Sequence, residues 1–138
     1  SIAPYVGFVY KITNLTNGRM YIGKKLATSS KTKMIKGKRK RIRIESDWQD
    51  YYGSSEELKQ DVILLGKENF HREILRLCNS KTECNYFELR EQIIRNVLFY
   101  PDLYYNAYVG SRITRKHIHS MFKQKTFSES FLDSVKNA

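Results

Sequence analysis

Two tyrosines, Tyr10 and Tyr21, stand eleven residues apart on either side of an Asn17-Gly18 pair, and the second opens the run Tyr-Ile-Gly-Lys. A phenol with an ordinary pKa of ~10 is a poor base at neutral pH. Concentrated positive charge nearby would lower that value and let the phenol take a proton. Such charge is abundant here. The first 44 residues hold twelve Lys or Arg and no Asp or Glu, and ten of the twelve fall in residues 24–43, KKLATSSKTKMIKGKRKRIR. The rival reading is an aromatic pair packed across a hairpin. Other reactive side chains point to no site. His71, His117 and His119 lack the spacing of a zinc site and read as structural or surface residues. Cys78 and Cys84, with five residues between them and no Cys/His companions, read as reduced thiols.

The charge balance is 25 − 14 = +11. A run of this sign points to a polyanionic partner, of which nucleic acid is the commonest. A solvated loop that only aids solubility is the alternative, but the charge exceeds what solubility requires of so small a chain. A membrane surface fits poorly, because Gly37 and the Ser/Thr residues break the run and it lacks an amphipathic period. No apolar run is long enough to span a bilayer and no signal segment is visible, so the expected location is intracellular, in the cytoplasm.

The elements that must position the tyrosines are legible. At 138 residues and 41% hydrophobic content, the chain suits one compact domain with an ordinary core. Phe8, Tyr10 and Ile12 alternate with Val9, Lys11 and Thr13, the period of a strand. Asn17 and Gly18 accept the positive φ of a tight reversal, and residues 19–23 return as a second strand. The basic stretch that follows has no apolar period and reads as a loop. Asp47 is placed to cap a short helix that stops at Gly53. Ser54 with Glu57 forms a capping box for a helix with Leu58, Val62 and Leu65 as its buried stripe and Gly66 as its end. Residues 69–77 alternate again as a third strand. Ser80 and Glu83 form a second capping box, opening a helix that runs to about Tyr100 and is stopped by Pro101. Residues 104–110 are a short extended piece, and residues 114–138 read as a loosely attached helix or two. This order gives a small α/β (α+β) domain: a three-stranded, mostly antiparallel sheet flanked by helices, over residues 1–110 with a basic insertion at 24–46. A C-terminal helical tail follows at 111–138.

Phe8-Val9-Tyr10, then Tyr21-Ile22-Gly23 followed by Lys24, then Glu88 in NYFELREQII and Asn106 in YYNAYVG resemble, in that order, the GIY-YIG nuclease family. The resemblance covers roughly residues 5–109. Phe8 stands where the family has a glycine, with Gly7 just before it. SDWQDYYGSSEEL and LGKENFHREIL resemble phage-encoded members, including the nuclease domains of some homing endonucleases. The resemblance implies a DNA endonuclease of a phage or mobile element, acting on duplex DNA with Mg²⁺ or Mn²⁺ held by Glu88. A single carboxylate suits one hard cation whose other ligands are water and phosphate oxygens. Glu91, one turn later, is the competing carboxylate; the flank Tyr-Phe-Glu and Gln92 favour Glu88. Tyr10 is expected to take the proton of the attacking water, with Tyr21 positioning the water or the phosphate and Asn106 near the end of the domain.

An arginine that relatives carry on a helix soon after Tyr-Ile-Gly is displaced here by the basic insertion. Arg41 and Arg43 are the candidates for it, with Arg39 behind them, since a guanidinium fork suits two phosphate oxygens. Lys24, Lys25, Lys36, Lys38, Arg39 and Lys40 are expected to contact DNA, and the insertion to act as an arm that orders on binding. Trp48, Tyr51 and Tyr52 suit packing under a helix better than stacking on bases. Small domains of this kind gain specificity from an added module or from dimerisation, so a homodimer is compatible with the sequence. The alternative function is a non-catalytic nucleic-acid-binding module that keeps the fold, which Phe8 and the displaced arginine would suit. RNA ranks lower, because no aromatic pattern like that of an RNA-recognition sheet is present.

Overall fold

The computed structural model describes residues 2, 4–110 and 112–122. In chain order the elements are β1 (Gly7–Asn14), β2 (Met20–Leu26), β3 (Thr28–Ile35), β4 (Lys38–Glu45), α1 (Glu56–Leu65), β5 (Phe70–Cys78), α2 (Lys81–Ile94), β6 (Tyr108–Val109), β7 (Ile113–Thr114) and α3 (Arg115–Phe122). β1 and β2 form the hairpin that Asn17-Gly18 predicts, with Gly18 at φ 76°. β5 pairs antiparallel with the other side of β1, so the main sheet has the order β2-β1-β5. This is the three-stranded antiparallel sheet with flanking helices expected from the element pattern.

β1 is central because both of its faces are covered. Phe8, Tyr10 and Ile12 pack with Tyr21 and with Leu58 and Val62 of α1. Val9 packs in a second cluster with Ile22, Cys78 and Cys84 of α2. One helix thus covers each face of the sheet. Val9, Ile12, Ile22 and Leu58 are fully buried, and burial of each such side chain contributes about 1.5–3 kcal/mol. Both cysteines are free and buried.

Several local expectations are corrected. The basic stretch is a strand pair, where a loop was expected: β3 and β4 form a separate two-stranded antiparallel ribbon. It turns at Lys36 (φ 51°) and Gly37 (φ 75°), the two successive positive φ values of a type I′ reversal. Apolar alternation is silent in this stretch because nearly every side chain on both faces is exposed. The segment after Asp47 is a single 3-10 turn, Trp48–Asp50; Asp47 caps nothing and pairs with Lys25 at 2.7 Å. The N-cap of α1 is Ser55, one residue later than expected, with its hydroxyl accepting from the Leu58 N–H at 3.3 Å.

Helix α2 ends at Ile94, short of Tyr100. Asn96 adopts the left-handed conformation (φ 52°), which a short polar side chain tolerates, and the reversal turns Val97 and Leu98 into the core. The described part of the tail is firmly attached, with Ile113 and Ile118 packed on the second cluster; the rest of the expected helix, 123–138, lies outside the described residues. No helix among the described residues is long and apolar enough to cross a membrane.

Candidate active site

A cleft of about 580 Å³ lies beside β2, the outer strand of the sheet. The start of α1, the middle of α2, residues 105–110 and the first residue of α3 bound it. Tyr10 belongs to the central strand, yet it lines this cleft. In the register of the hairpin it stands opposite Gly23. A Cβ on Gly23 would lie 2.5 Å from the Tyr10 hydroxyl and 2.7 Å from its Cζ. The glycine of Tyr-Ile-Gly therefore lets a phenol from the central strand cross the outer one. Tyr21 stands beside it, with ring centroids 6.2 Å apart. The Tyr21 hydroxyl is 2.8 Å from Ser54 Oγ, the serine left free by the cap at Ser55.

Asn106 fixes the outer strand. The Ile22 N–H donates to Asn106 Oδ1 at 3.1 Å, and Asn106 Nδ2 donates back to the Ile22 carbonyl at 2.8 Å. Two residues earlier the main chain does the same work: Met20 N–H donates to Leu103 O at 2.7 Å, and Tyr105 N–H to Met20 O at 2.8 Å. Gln92 Nε2 adds a further bond to the Ile22 carbonyl at 3.0 Å. With both ends of its amide engaged by the backbone, Asn106 is a positioning residue for the Tyr-Ile-Gly strand.

Glu88 lines the cleft from α2, whereas Glu91 pairs with Arg95 at 3.1 Å. Lys24 also lines the cleft, and its ammonium donates to Asn85 Oδ1. Burial holds the Glu88 carboxyl above the ordinary glutamate range, with Lys24 opposing the shift. Burial also pushes Tyr21 up to about 12, partly offset by the Ser54 hydrogen bond. Tyr10 is pushed well above an ordinary tyrosine, first by burial and then by the charges of Tyr21, Tyr51 and Glu88. The expected lowering of the tyrosine pKa is thus reversed in the protein alone. The reason is geometric: of the ten basic residues in 24–43, Lys24 alone lines the cleft.

The other sequence candidates lie elsewhere. Lys25 shares the sheet face of Phe8 and Tyr10 but does not line the cleft; it lies 4.1 Å from the Tyr51 ring centre and pairs with Asp47. Lys36 sits in the ribbon turn, and Lys38, Arg39, Lys40, Arg41 and Arg43 lie along β4, none of them lining the cleft. Arg43 donates to Thr28 Oγ1 at 3.1 Å. Trp48 packs edge-on against Phe8 and Tyr51 edge-on against Tyr10, with centroids 5.9 and 6.2 Å apart. Tyr52 lies under the Arg72 guanidinium. His117 Nδ1 accepts from the Thr114 N–H at 3.0 Å, and His71 and His119 are exposed. Sequence reasoning missed Arg115. It opens α3, lines the cleft, and reaches the Asn106 carbonyl at 3.5 Å. A single arginine in a polar tail carries no motif; only the reversal between β6 and β7 returns it to the site.

Residues 1–109 match the family described as "Putative endonuclease segE, GIY-YIG domain". The chain belongs to this GIY-YIG family. A relative from Enterobacteria phage T4, described as "Putative endonuclease segE", is 33% identical over 104 residues, covering 75% of this chain. The chain spans 41% of that relative's length. No solved structure matches. Against the GIY-YIG pattern, Phe8 at the glycine position packs on Trp48 and takes no part in lining the cleft, so the departure leaves the site's lining intact.

Proposed function

We propose that this GIY-YIG domain is a DNA endonuclease that hydrolyses phosphodiester bonds with one divalent cation. One observation carries the reading: Tyr10, Tyr21, Lys24, Glu88 and Arg115, drawn from four separate elements of the chain, line a single cleft. The residues suit a hard cation. No group of three or more His, Cys, Asp or Glu that could hold a metal ion occurs among the described residues, which disfavours a zinc cage. Glu56 and Glu57 also line the cleft but pair with Lys59 and Arg19, which leaves Glu88 as the carboxylate for Mg²⁺ or Mn²⁺, with water and phosphate oxygens completing the shell. Gln92, one turn along α2 and also lining the cleft, has a buried Oε1 without a partner among the described residues. Bound at Glu88, the cation supplies positive charge that neutralises a phosphate and acidifies a water.

The chain's own groups do the rest. Lys24 and Arg115 bind non-bridging oxygens of the scissile phosphate, and the Arg115 fork stabilises the charge that grows on them. Tyr21, held by Ser54, donates its hydroxyl to the water or the phosphate. Positive charge gathered in the cleft offsets the burial that keeps Tyr10 protonated, so the phenol gives up its proton to solvent and the phenolate then takes the proton of the attacking water. The test is a supercoiled-plasmid assay with Mg²⁺ or EDTA, on wild type and Glu88→Gln. Metal-dependent nicking or linearisation that disappears in the variant is expected. DNA binding without any cleavage in Mg²⁺ or Mn²⁺ would overturn the nuclease.

A further inference from the structure

The ribbon of β3 and β4 sorts its cations by face. Cross-strand partners share a face, and the register pairs Ser30 with Arg43, Thr32 with Arg41 and Met34 with Arg39. Lys31 stands opposite Ile42, Lys33 opposite Lys40, and Ile35 opposite Lys38 on the other face. All three arginines therefore lie with Ser/Thr hydroxyls on one side, and all four strand lysines lie with isoleucines on the other. The two types are not equivalent. A guanidinium fork and a hydroxyl can read the hydrogen-bonding edges of bases, whereas an ammonium is a point charge suited to phosphate.

The ribbon is also a fixed arm. Among the described residues its two strands pair as a sheet only with each other, and Glu45 at the root accepts from Trp48 Nε1 at 3.0 Å. Its root is clamped by Ala27 N–H to Val6 O (2.8 Å), Ser46 N–H to Ala27 O (2.8 Å) and Ser46 Oγ to Leu26 O (2.5 Å). Eight residues per strand make it about 27 Å long, with strands about 4.8 Å apart. A two-stranded ribbon of that width enters the B-DNA major groove, which is about 12 Å wide.

We propose that this ribbon enters the major groove of duplex DNA, with the Arg39/Arg41/Arg43 face against the base edges and the lysines leaning to the phosphate walls. The inference rests on the nuclease reading for its partner and adds where and how that partner is read. A-form RNA is excluded as the preferred partner, because its major groove is too deep and narrow for side chains to read.

The test measures binding in EDTA, so that nothing is cut. One plasmid fragment is prepared with guanine and again with 7-deazaguanine, which lacks the N7 acceptor in the major groove. Wild type should bind the 7-deaza fragment at least roughly fivefold more weakly, the loss of one bidentate Arg–guanine pair. The combined Arg39→Ala, Arg41→Ala, Arg43→Ala variant should bind more weakly and no longer distinguish the two fragments. The combined Lys31→Ala, Lys33→Ala, Lys40→Ala variant should still distinguish them, but with a salt slope shallower by up to about 2.7. A thermal melt checks that each variant is folded.

Equal wild-type binding to both fragments, discrimination that survives in the arginine variant, or equal affinity for duplex RNA would each overturn the ribbon proposal. Plasmid cleavage in Mg²⁺, run in parallel, separates the two readings. Cutting without guanine discrimination removes the ribbon alone, and discrimination without cutting removes the nuclease alone. Neither binding nor cutting removes both.

Discussion

At the scale of single residues, the site combines a carboxylate and two phenols whose environments all favour the protonated form. The Tyr10 hydroxyl makes no hydrogen bond with a described residue, so Tyr10→Phe should leave the fold and DNA binding intact while cleavage falls by about 10²–10⁴. Because burial keeps Tyr10 protonated in the protein alone, the wild-type rate should rise with pH as the phenol loses its proton, and Tyr10→Phe should abolish that rise. A stopped-time cleavage series reads this, and a rise that survives in Tyr10→Phe would show that Tyr10 is not the base. Glu88 carries a stability consequence of defined sign. Its folded pKa is raised above the unfolded value by burial. Below both values it is protonated in either state and costs nothing; above the folded value the desolvated carboxylate weakens the fold. Glu88→Gln should therefore melt higher than wild type at pH about 7.5 and close to it at pH about 4, while losing cleavage, the pattern of a site that trades stability for activity.

At the scale of elements, the deciding feature is the passage of Tyr10 across Gly23. Gly23→Ala would push the Tyr10 ring from its place. A displacement of about 1 Å can cost about 10²-fold in rate, so cleavage should drop by that order while the circular dichroism spectrum stays unchanged. Asn106→Ala should act on stability, because it strips the buried Ile22 N–H of its acceptor; about 1–3 kcal/mol is expected in a denaturant titration. Such placement explains what could be read in the sequence. The β1–β2 hairpin was legible because Asn17-Gly18 and a one-sided alternation are local signals. The phenols and Glu88 were legible through an ordered motif. The ribbon was hidden because its alternation runs between arginine and lysine, to which an apolar code is blind. Arg115 was hidden because its place depends on tertiary packing of α3 by Ile113 and Ile118. The cap of α1 shifted by one serine because Ser54 and Ser55 are equally good caps in isolation, and only the Tyr21 hydroxyl distinguishes them.

At the scale of the whole molecule, the charge of +11 separates into two functions. Most of the basic run stands on the ribbon, away from the reacting groups, while Lys24 and Arg115 serve the cleft. On the proposed reading, attraction to DNA and chemistry on DNA are thus supplied by different surfaces. Duplex binding should fall by about 10³ between roughly 50 and 200 mM salt, as anisotropy titrations would show. The pH profile of single-turnover cleavage on saturated protein should hardly move over the same range, because Tyr10 and Tyr21 are buried and Glu88 half-buried, and such groups are screened little by ions.

The bonds between Ile22 and Asn106 join positions 84 residues apart, and they set when the site can exist. A chain emerging from the ribosome presents both tyrosines early on the β1–β2 hairpin, but the outer edge of β2 is not secured until Asn106 arrives. At about 5–20 residues per second, several seconds of synthesis separate the two. Throughout that interval the growing polypeptide carries its basic arm and half of its reacting groups without an assembled cleft. If the domain cuts DNA as proposed, the cell making it is therefore shielded from partly made copies by the order in which the gene is read.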